Sequence, residues 1–162
     1  MQQQPFDQKD FRQGLGLFPT GVTIVTTQSD DGHPIGMTAS SFNTVSLDPP
    51  LVLWSIDRRS LSLDAFTQCE HFAINVLSKQ QQDLSNLFAS KGADKFANTP
   101  FTEGAGKSPL LEDCIAQLEC KMWKTYDGGD HVIIVGEVLN YRYDKTLEPL
   151  VFYAGNYAEL DK

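Results

Sequence analysis

Residues 36–50 read Gly36-Met37-Thr38-Ala39-Ser40-Ser41-Phe42-Asn43-Thr44-Val45-Ser46-Leu47-Asp48-Pro49-Pro50 and indicate the fold more than any other stretch. The first eleven of these residues carry five hydroxyl side chains, which disfavours a helix because Ser and Thr have low helix propensity. In a strand, Thr38 and Ser40 would point to one face and Ala39 and Ser41 to the other. One face could then line a pocket with small hydrogen-bond donors, or the hydroxyls could simply satisfy a turn.

Short strands joined by turns account for most of the remaining chain. The patterns predict strands, in chain order, at 22–27, 35–42, 44–47, 51–56, 71–77, 114–126, 131–143 and 149–153. The 51–56 segment is almost continuously apolar, which predicts a strand that is buried on both faces. The last two long strands flank Asp127-Gly128-Gly129-Asp130 and predict a long hairpin.

Few helices are expected. Asp7 is suited to cap a first helix, Ser60 a second one from Leu61 to about Thr67, and Ser78 a third one through Ser90. The stretch 92–109 predicts an irregular lid, arm or dimer contact. Residues 1–6 are predicted to be a flexible tail, and 7–162 a single domain.

The fold class predicted from these elements is mainly β, an antiparallel barrel that is closed or partly open, with a few flanking helices. No alternating series of strands and helices is present. The G-x-G at Gly14-Leu15-Gly16 follows no predicted strand, which disfavours a dinucleotide-binding Rossmann domain there.

Charge and cysteine content narrow the function classes further. The 13 Lys and Arg residues against 21 Asp and Glu residues give a net charge of −8, which disfavours nucleic acid and anionic membranes as partners. The three cysteines, Cys69, Cys114 and Cys120, have neither disulfide nor zinc spacing, and the last two are predicted to be buried thiols. Neither a signal peptide nor a membrane span is indicated, so a cytoplasmic location is predicted.

Three short constellations could carry function. Arg58-Arg59-Ser60 is either an exposed basic turn with an ordinary cap or an anion site, and either arginine could face a ligand. His131, after Gly129 and Asp130, is either a solvated histidine or a ligand contact. The final stretch from 152 to 157, Phe-Tyr-Ala-Gly-Asn-Tyr, is either core packing or a wall on which a flat ring stacks. His33 and His71 are expected to be structural.

Other catalytic apparatus is not indicated by the sequence. There is no paired-carboxylate pattern of a glycosidase, no G-x-S-x-G elbow of a serine hydrolase and no His/carboxylate spacing for a catalytic metal. Such a chain is suited to a reaction in which bound cofactors, rather than protein side chains, carry out the chemistry.

Taken in order, the segments at 18–27, 36–50, 51–56, 72–77, 129–131, 136–138 and 150–157 resemble the flavin reductase family, whose fold is the FMN-binding split barrel. The resemblance covers residues from about 11 to 157. It implies an NAD(P)H:flavin oxidoreductase that transfers a hydride from NADH or NADPH to N5 of FMN or FAD. It further implies a homodimer and a separate monooxygenase that receives the reduced flavin.

The resemblance also assigns cofactor-binding positions. Those matched to the flavin are Thr38, Ala39, Ser40, Ser41, Phe42, Ser46, Ser55, Arg58 and Ser60. His131 matches a histidine that holds the nicotinamide over the flavin, and Tyr157 matches a further cofactor contact. Two alternatives remain open within this fold: a tightly bound FMN electron carrier resembling flavoredoxin, and a non-catalytic flavin- or haem-binding module.

Overall fold

The structure, a computed structural model, describes residues 6–92 and 94–161. Its strands are β1 (Thr20–Gly21), β2 (Thr23–Gln28), β3 (Pro34–Ala39), β4 (Asn43–Leu47), β5 (Pro50–Asp57), β6 (His71–Val76), β7 (Phe101–Glu103), β8 (Pro109–Leu111), β9 (Ala116–Gly128), β10 (His131–Tyr143), β11 (Val151–Tyr153) and β12 (Asn156–Ala158). The mainly β class is therefore confirmed.

Seven strands form one antiparallel sheet in the order β3-β2-β6-β9-β10-β5-β4. The edge strands β3 and β4 are joined by only three residues, Ser40, Ser41 and Phe42. This β3–β4 link can span no more than about 15 Å. The edges of a flat seven-stranded sheet would lie roughly 29 Å apart. The sheet must therefore curl until its two edges approach each other at the link.

The helices are α1 (Gln8–Leu15), α2 (Leu63–Gln68) and α3 (Gln82–Ala89). Asp7 caps α1 as predicted, since its Oδ1 accepts the Lys9 N–H at 2.9 Å. Ser78 and Gln81 form a capping box on the 3₁₀ turn that leads into α3, which confirms the predicted start. No helix in the ranges 6–92 and 94–161 is long and apolar enough to cross a membrane.

The predicted cap of α2 was wrong. The helix begins at Leu63 rather than Leu61, and Ser62 occupies the N-cap position. Ser60 instead lies in the preceding turns, where its N–H donates to the Asp57 carbonyl and its own carbonyl accepts the Leu63 N–H. Its Oγ accepts the Ser62 N–H at 3.2 Å. Because β5 continues to Asp57, the chain needs these tight turns before a helix can begin.

The larger core lies on one face of the sheet and is centred on Trp54, whose ring meets Phe66 edge-on at 4.9 Å. Residues of β5 alternate: Val52, Trp54 and Ile56 are buried, whereas Leu51 and Leu53 are half-buried. The prediction that this strand is buried on both faces was therefore wrong. In this antiparallel sheet, its neighbours β4 and β10 leave the outer face of β5 uncovered within one chain.

Two smaller sheets complete the chain. β1, β11 and β12 form one, and β7 pairs with β8 in the other. β7 lies inside the stretch 92–109 that was predicted to be irregular, and β8 begins at its last residue. β12 was not predicted, and it follows a turn in which Ala154 and Gly155 have φ of 50° and 79°. The predicted strand at 35–42 ends at Ala39, where the link begins. Residues 1–5 of the predicted tail lie outside the described residues.

Candidate functional site

The β3–β4 link is held against β5 by one serine side chain. The Ser41 Oγ accepts the Ser55 N–H at 2.9 Å and donates to the Ser55 carbonyl at 3.1 Å. Main-chain pairing between β4 and β5 extends only as far as Asn43 and Leu53. The Ser41 hydroxyl therefore takes the place of a further strand residue, which lets the backbone bend between the two edges of the sheet.

On the other side of the link, Thr38 and Tyr157 meet at α3. The Thr38 hydroxyl donates to the Ser85 carbonyl at 2.6 Å. The Tyr157 hydroxyl donates to Asn86 Oδ1 at 2.7 Å and accepts from the Ser85 hydroxyl, also at 2.7 Å. Ala39 is buried, and its carbonyl accepts the Thr23 hydroxyl at 2.8 Å. Ser85 and Asn86 thus connect two of the predicted site residues.

Sequence reasoning missed the role of Ser85. The helix was predicted from the spacing of Leu84, Leu87 and Phe88, and a serine among these residues did not indicate a functional role. Ser85 is nevertheless buried on the same face as Gln81 and Phe88. A small polar residue at a buried helical position was the one available hint, because such a hydroxyl must find a partner.

Three of the predicted hydroxyls are free to meet a ligand. Within the described part of the chain, the side chains of Ser40, Ser46 and Ser55 make no hydrogen bond. Ser40 is exposed, and the other two are half-buried. Ser46 pairs with Leu51 and lies about 13 Å along β5 from Ser55. The free hydroxyls are therefore spread over the β3–β4 link, β4 and β5 rather than gathered at one point.

Arg58 does not extend freely into solvent; it lies across the turn between β9 and β10. Its Nε donates to the Gly129 carbonyl at 2.8 Å and its Nη2 to Asp127 Oδ1 at 2.7 Å. Its backbone N–H donates to the Asp130 carbonyl at 3.0 Å. The hydrogen bond from Arg58 holds the pKa of Asp127 below its usual range. One arginine thus joins the end of β5 to three residues of the turn.

Arg59 faces away from this turn. It folds back on Asp57, with Nη2 2.9 Å from Oδ2, and its side chain is 86% exposed. Its hydrogen bonds hold the pKa of Asp57 well below the usual range, with a smaller contribution from the charge of His131. Of the two arginines, Arg58 is the one that contacts another part of the candidate site.

His131 begins β10 directly after this turn. Its Nδ1 lies 2.7 Å from Asp130 Oδ1, and its backbone pairs with Asp57 across the strands. The imidazole is 42% exposed, so one edge is held by the protein and the rest can meet a ligand. Arg58, Asp130 and His131 therefore form one connected unit, which the sequence had treated as two separate constellations.

The remaining candidates lie elsewhere. Ser60 is two residues beyond Arg58, and its hydroxyl accepts the Ser62 N–H inside its own turn. His33 pairs with Asp31 in an exposed turn, and His71 packs under Gly106. Cys120 is buried and Cys114 half-buried, and burial raises the pKa of both thiols to about 12. Neither thiol is poised as a nucleophile.

Residues described by the structure include no group of three His, Cys, Asp or Glu side chains placed to hold a metal ion. What the site offers is a band of small hydroxyls, a half-exposed guanidinium and a half-exposed imidazole. This set can bind and orient polar, flat ligands through hydrogen bonds, whereas the bond-making chemistry would come from the ligands themselves.

Comparison with known proteins gives a consistent result. The family model described as the flavin reductase like domain matches residues 15–161. The reductase component of a flavin-dependent trigonelline monooxygenase from Acinetobacter baylyi is 41% identical over 149 residues, covering 92% of this chain and 48% of that protein. An FMN reductase (NADH) from Agrobacterium fabrum is 42% identical over 154 residues, covering 95% of this chain and 87% of that protein.

A solved structure shows the same architecture. An NADH:FAD oxidoreductase from Streptomyces globisporus, in complex with NAD and FAD fragments, superposes with a TM-score of 0.90 at 35% identity, covering 98% of both chains. By contrast, this chain spans about half the length of two of the most similar relatives, 48% of one and 50% of the other.

Proposed function

Because the chain belongs to the flavin reductase family, we propose that it is an NAD(P)H:flavin oxidoreductase. The observation that carries this proposal is the family match over 15–161, which includes every candidate site residue. The relatives' names add NADH as reductant and FMN or FAD as flavin. When bound together, the two cofactors would supply a hydride transfer that needs no protein nucleophile.

The chemical groups of the site residues are of the kinds that bind a flavin. The free hydroxyls of Ser40, Ser46 and Ser55 can donate to flavin oxygens, and the Arg58 guanidinium keeps N–H groups that its bonds to the turn do not use. We propose that His131 contacts the nicotinamide, that Tyr157 is a further cofactor contact, and that the flavin is contacted by Thr38, Ala39, Ser40, Ser41, Phe42, Ser46, Ser55, Arg58 and Ser60.

The curled sheet supports assignment of the fold as the split barrel, with residues 7–162 as one domain. A separate monooxygenase is the proposed acceptor of reduced flavin, because relatives such as the Acinetobacter protein are named as reductase components. The three free cysteines are consistent with a reducing compartment, so a cytoplasmic location is retained as part of the proposal.

Steady-state kinetics should show that the pure protein oxidises NADH or NADPH only when free FMN or FAD is added. The physical reason is that the hydride of NADH or NADPH needs an acceptor, which the added flavin supplies. The measurement is the loss of nicotinamide absorbance for each combination of flavin and nicotinamide. Ser40→Ala should raise the flavin KM roughly two- to tenfold, as expected for one lost hydrogen bond.

Matched controls separate the alternatives. Ser29→Ala, in the exposed β2–β3 turn, should leave the flavin KM unchanged. A purified protein that stays yellow with one FMN per chain would favour the flavoredoxin-like electron carrier. A folded protein that binds flavin but oxidises neither nicotinamide would contradict the enzyme and favour the non-catalytic binding module.

We further propose that two chains pair as a homodimer. Large apolar side chains remain exposed in a single chain, on α1 and the residues that follow it and on strands β4, β9 and β10. They include Phe11, Leu15, Phe18, Val45, Leu47, Trp123, Tyr126 and Leu139. α1 buries none of its residues although its apolar side chains lie on one face. Surfaces of this kind are typical of protein interfaces, and a two-fold axis would cover both copies at once.

Light scattering coupled to gel filtration should give about twice the 18.0 kDa mass of one chain at micromolar concentration. Phe11→Glu and Leu15→Glu together should shift the mass towards one chain if α1 is part of the interface, because two charges would replace its apolar contact. The matched variant Lys9→Glu, on the polar side of α1, should not. A monomeric wild-type chain would contradict the dimer.

A further inference from the structure

The turn between β9 and β10 is an exposed hairpin tip that is held by several hydrogen bonds from the end of β5. Arg58 bonds to Asp127, Gly129 and Asp130, each through a different N–H group. Asp127 Oδ1 also accepts the Gly129 N–H at 3.2 Å, inside the turn. Gly129 has φ of 75°, a conformation that favours glycine. These bonds fix where β10 begins and therefore where His131 stands.

The imidazole of His131 is fixed in the same way. Its Nδ1 lies 2.7 Å from Asp130 Oδ1. An ionised carboxylate can only accept a hydrogen bond, so in neutral His131 the proton must be on Nδ1. Nε2 is then a bare acceptor on a ring that is 42% exposed. It suits a ligand N–H donor such as the amide of a carboxamide group.

We infer that Asp130 and Arg58 are positioning residues, which set the place, tautomer and orientation of the His131 ring at its proposed contact with the nicotinamide. This inference rests on the proposed function. Arg58 places the turn, Asp130 sets the tautomer and orientation of the ring, and His131 contacts the ligand. Arg58 therefore affects nicotinamide binding as well as any flavin phosphate that it contacts.

The chain offers a close internal control. In the β2–β3 turn, Asp31 Oδ2 lies 3.1 Å from His33 Nδ1, so the same pair of side chains occurs away from the site. Asp31→Asn removes the same charge from the same kind of pair. Both aspartates are largely exposed, at 72% for Asp31 and 89% for Asp130, so neither change should disturb the core.

Asp130→Asn should raise the NADH KM roughly three- to tenfold while the flavin KM changes less than about twofold. Arg58→Lys keeps the charge but cannot make both side-chain bonds to the turn, so it should raise the NADH KM similarly. Asp31→Asn should change neither constant. In Asp130→Asn, an unchanged NADH KM, or an equal rise of the NADH KM and the flavin KM, would overturn the inference.

Nitrogen NMR of the imidazoles tests the same inference without turnover. The chain has only three histidines, so His131→Gln identifies the His131 signals directly. Neutral His131 should carry its proton on Nδ1 in the wild-type protein, and Asp130→Ala should move the population towards the Nε2–H form. A wild-type ring with the proton on Nε2 would overturn the inference. Should the wild type oxidise no nicotinamide, the proposed function fails, while this spectrum still decides whether Asp130 sets the ring.

Discussion

Asn75→Leu is expected to lower the free energy of unfolding by about 3–5 kcal/mol, because it leaves several buried polar groups without a hydrogen-bond partner. Asn75 is fully buried in β6. Its Nδ2 donates to the Ile24 carbonyl at 3.0 Å, and its Oδ1 accepts the Leu111 N–H at 3.0 Å and the Gln117 Nε2 at 2.7 Å. Leucine has a similar volume but can satisfy none of these partners.

Urea denaturation followed by circular dichroism measures this loss. Asn98→Leu is the matched control, since Asn98 is exposed and its side chain makes no hydrogen bond in the described part of the chain. It should change the stability by less than about 0.5 kcal/mol. A loss below about 1 kcal/mol in Asn75→Leu would show that water reaches the former partners of Asn75 and that the network is not needed for stability.

This network also shows where sequence reasoning stops. The strand containing Asn75 was predicted from its apolar pattern, and β6 does run from His71 to Val76. The partners of Asn75 lie on β2, β8 and β9, up to 51 residues away along the chain. A local pattern of apolar residues predicts a strand. A lone polar residue within that pattern does not reveal which distant groups it will bond to.

In the candidate site, too, local features were predicted from the sequence, whereas contacts between distant segments were not. The hydroxyl-rich stretch was selected for its local composition, whereas the Gly-Asp-His turn was selected for its match to the flavin reductase family. The bonds from Arg58 to this turn were not found, since they depend on β5 pairing with β10 so that residues 57 and 131 face each other. For the same reason, Arg58 was interpreted as part of an exposed basic turn or as a flavin contact, without a link to His131, and Ser85 was missed altogether.

Gly136→Val should destabilise the protein by about 2–3 kcal/mol through overpacking. Gly136 lies in β10 between Val52 of β5 and Met122 of β9. A Cβ there would overlap the Phe72 ring and lie 3.0 Å from the Cβ of Cys120. Both neighbours are fully buried, so neither can move aside into solvent. Thermal and urea unfolding would measure the loss.

Combining Gly136→Val with Phe72→Leu tests whether the ring is the cause. The smaller side chain leaves room for the new methyl groups, so the double variant should lose at least about 1 kcal/mol less than the sum of the two single variants. Gly21→Val is the control, because its added Cβ would meet nothing within 4 Å. Simple additivity would contradict the packing argument. It would mean that valine acts on the backbone of β10, where the register shifts next to Gly136.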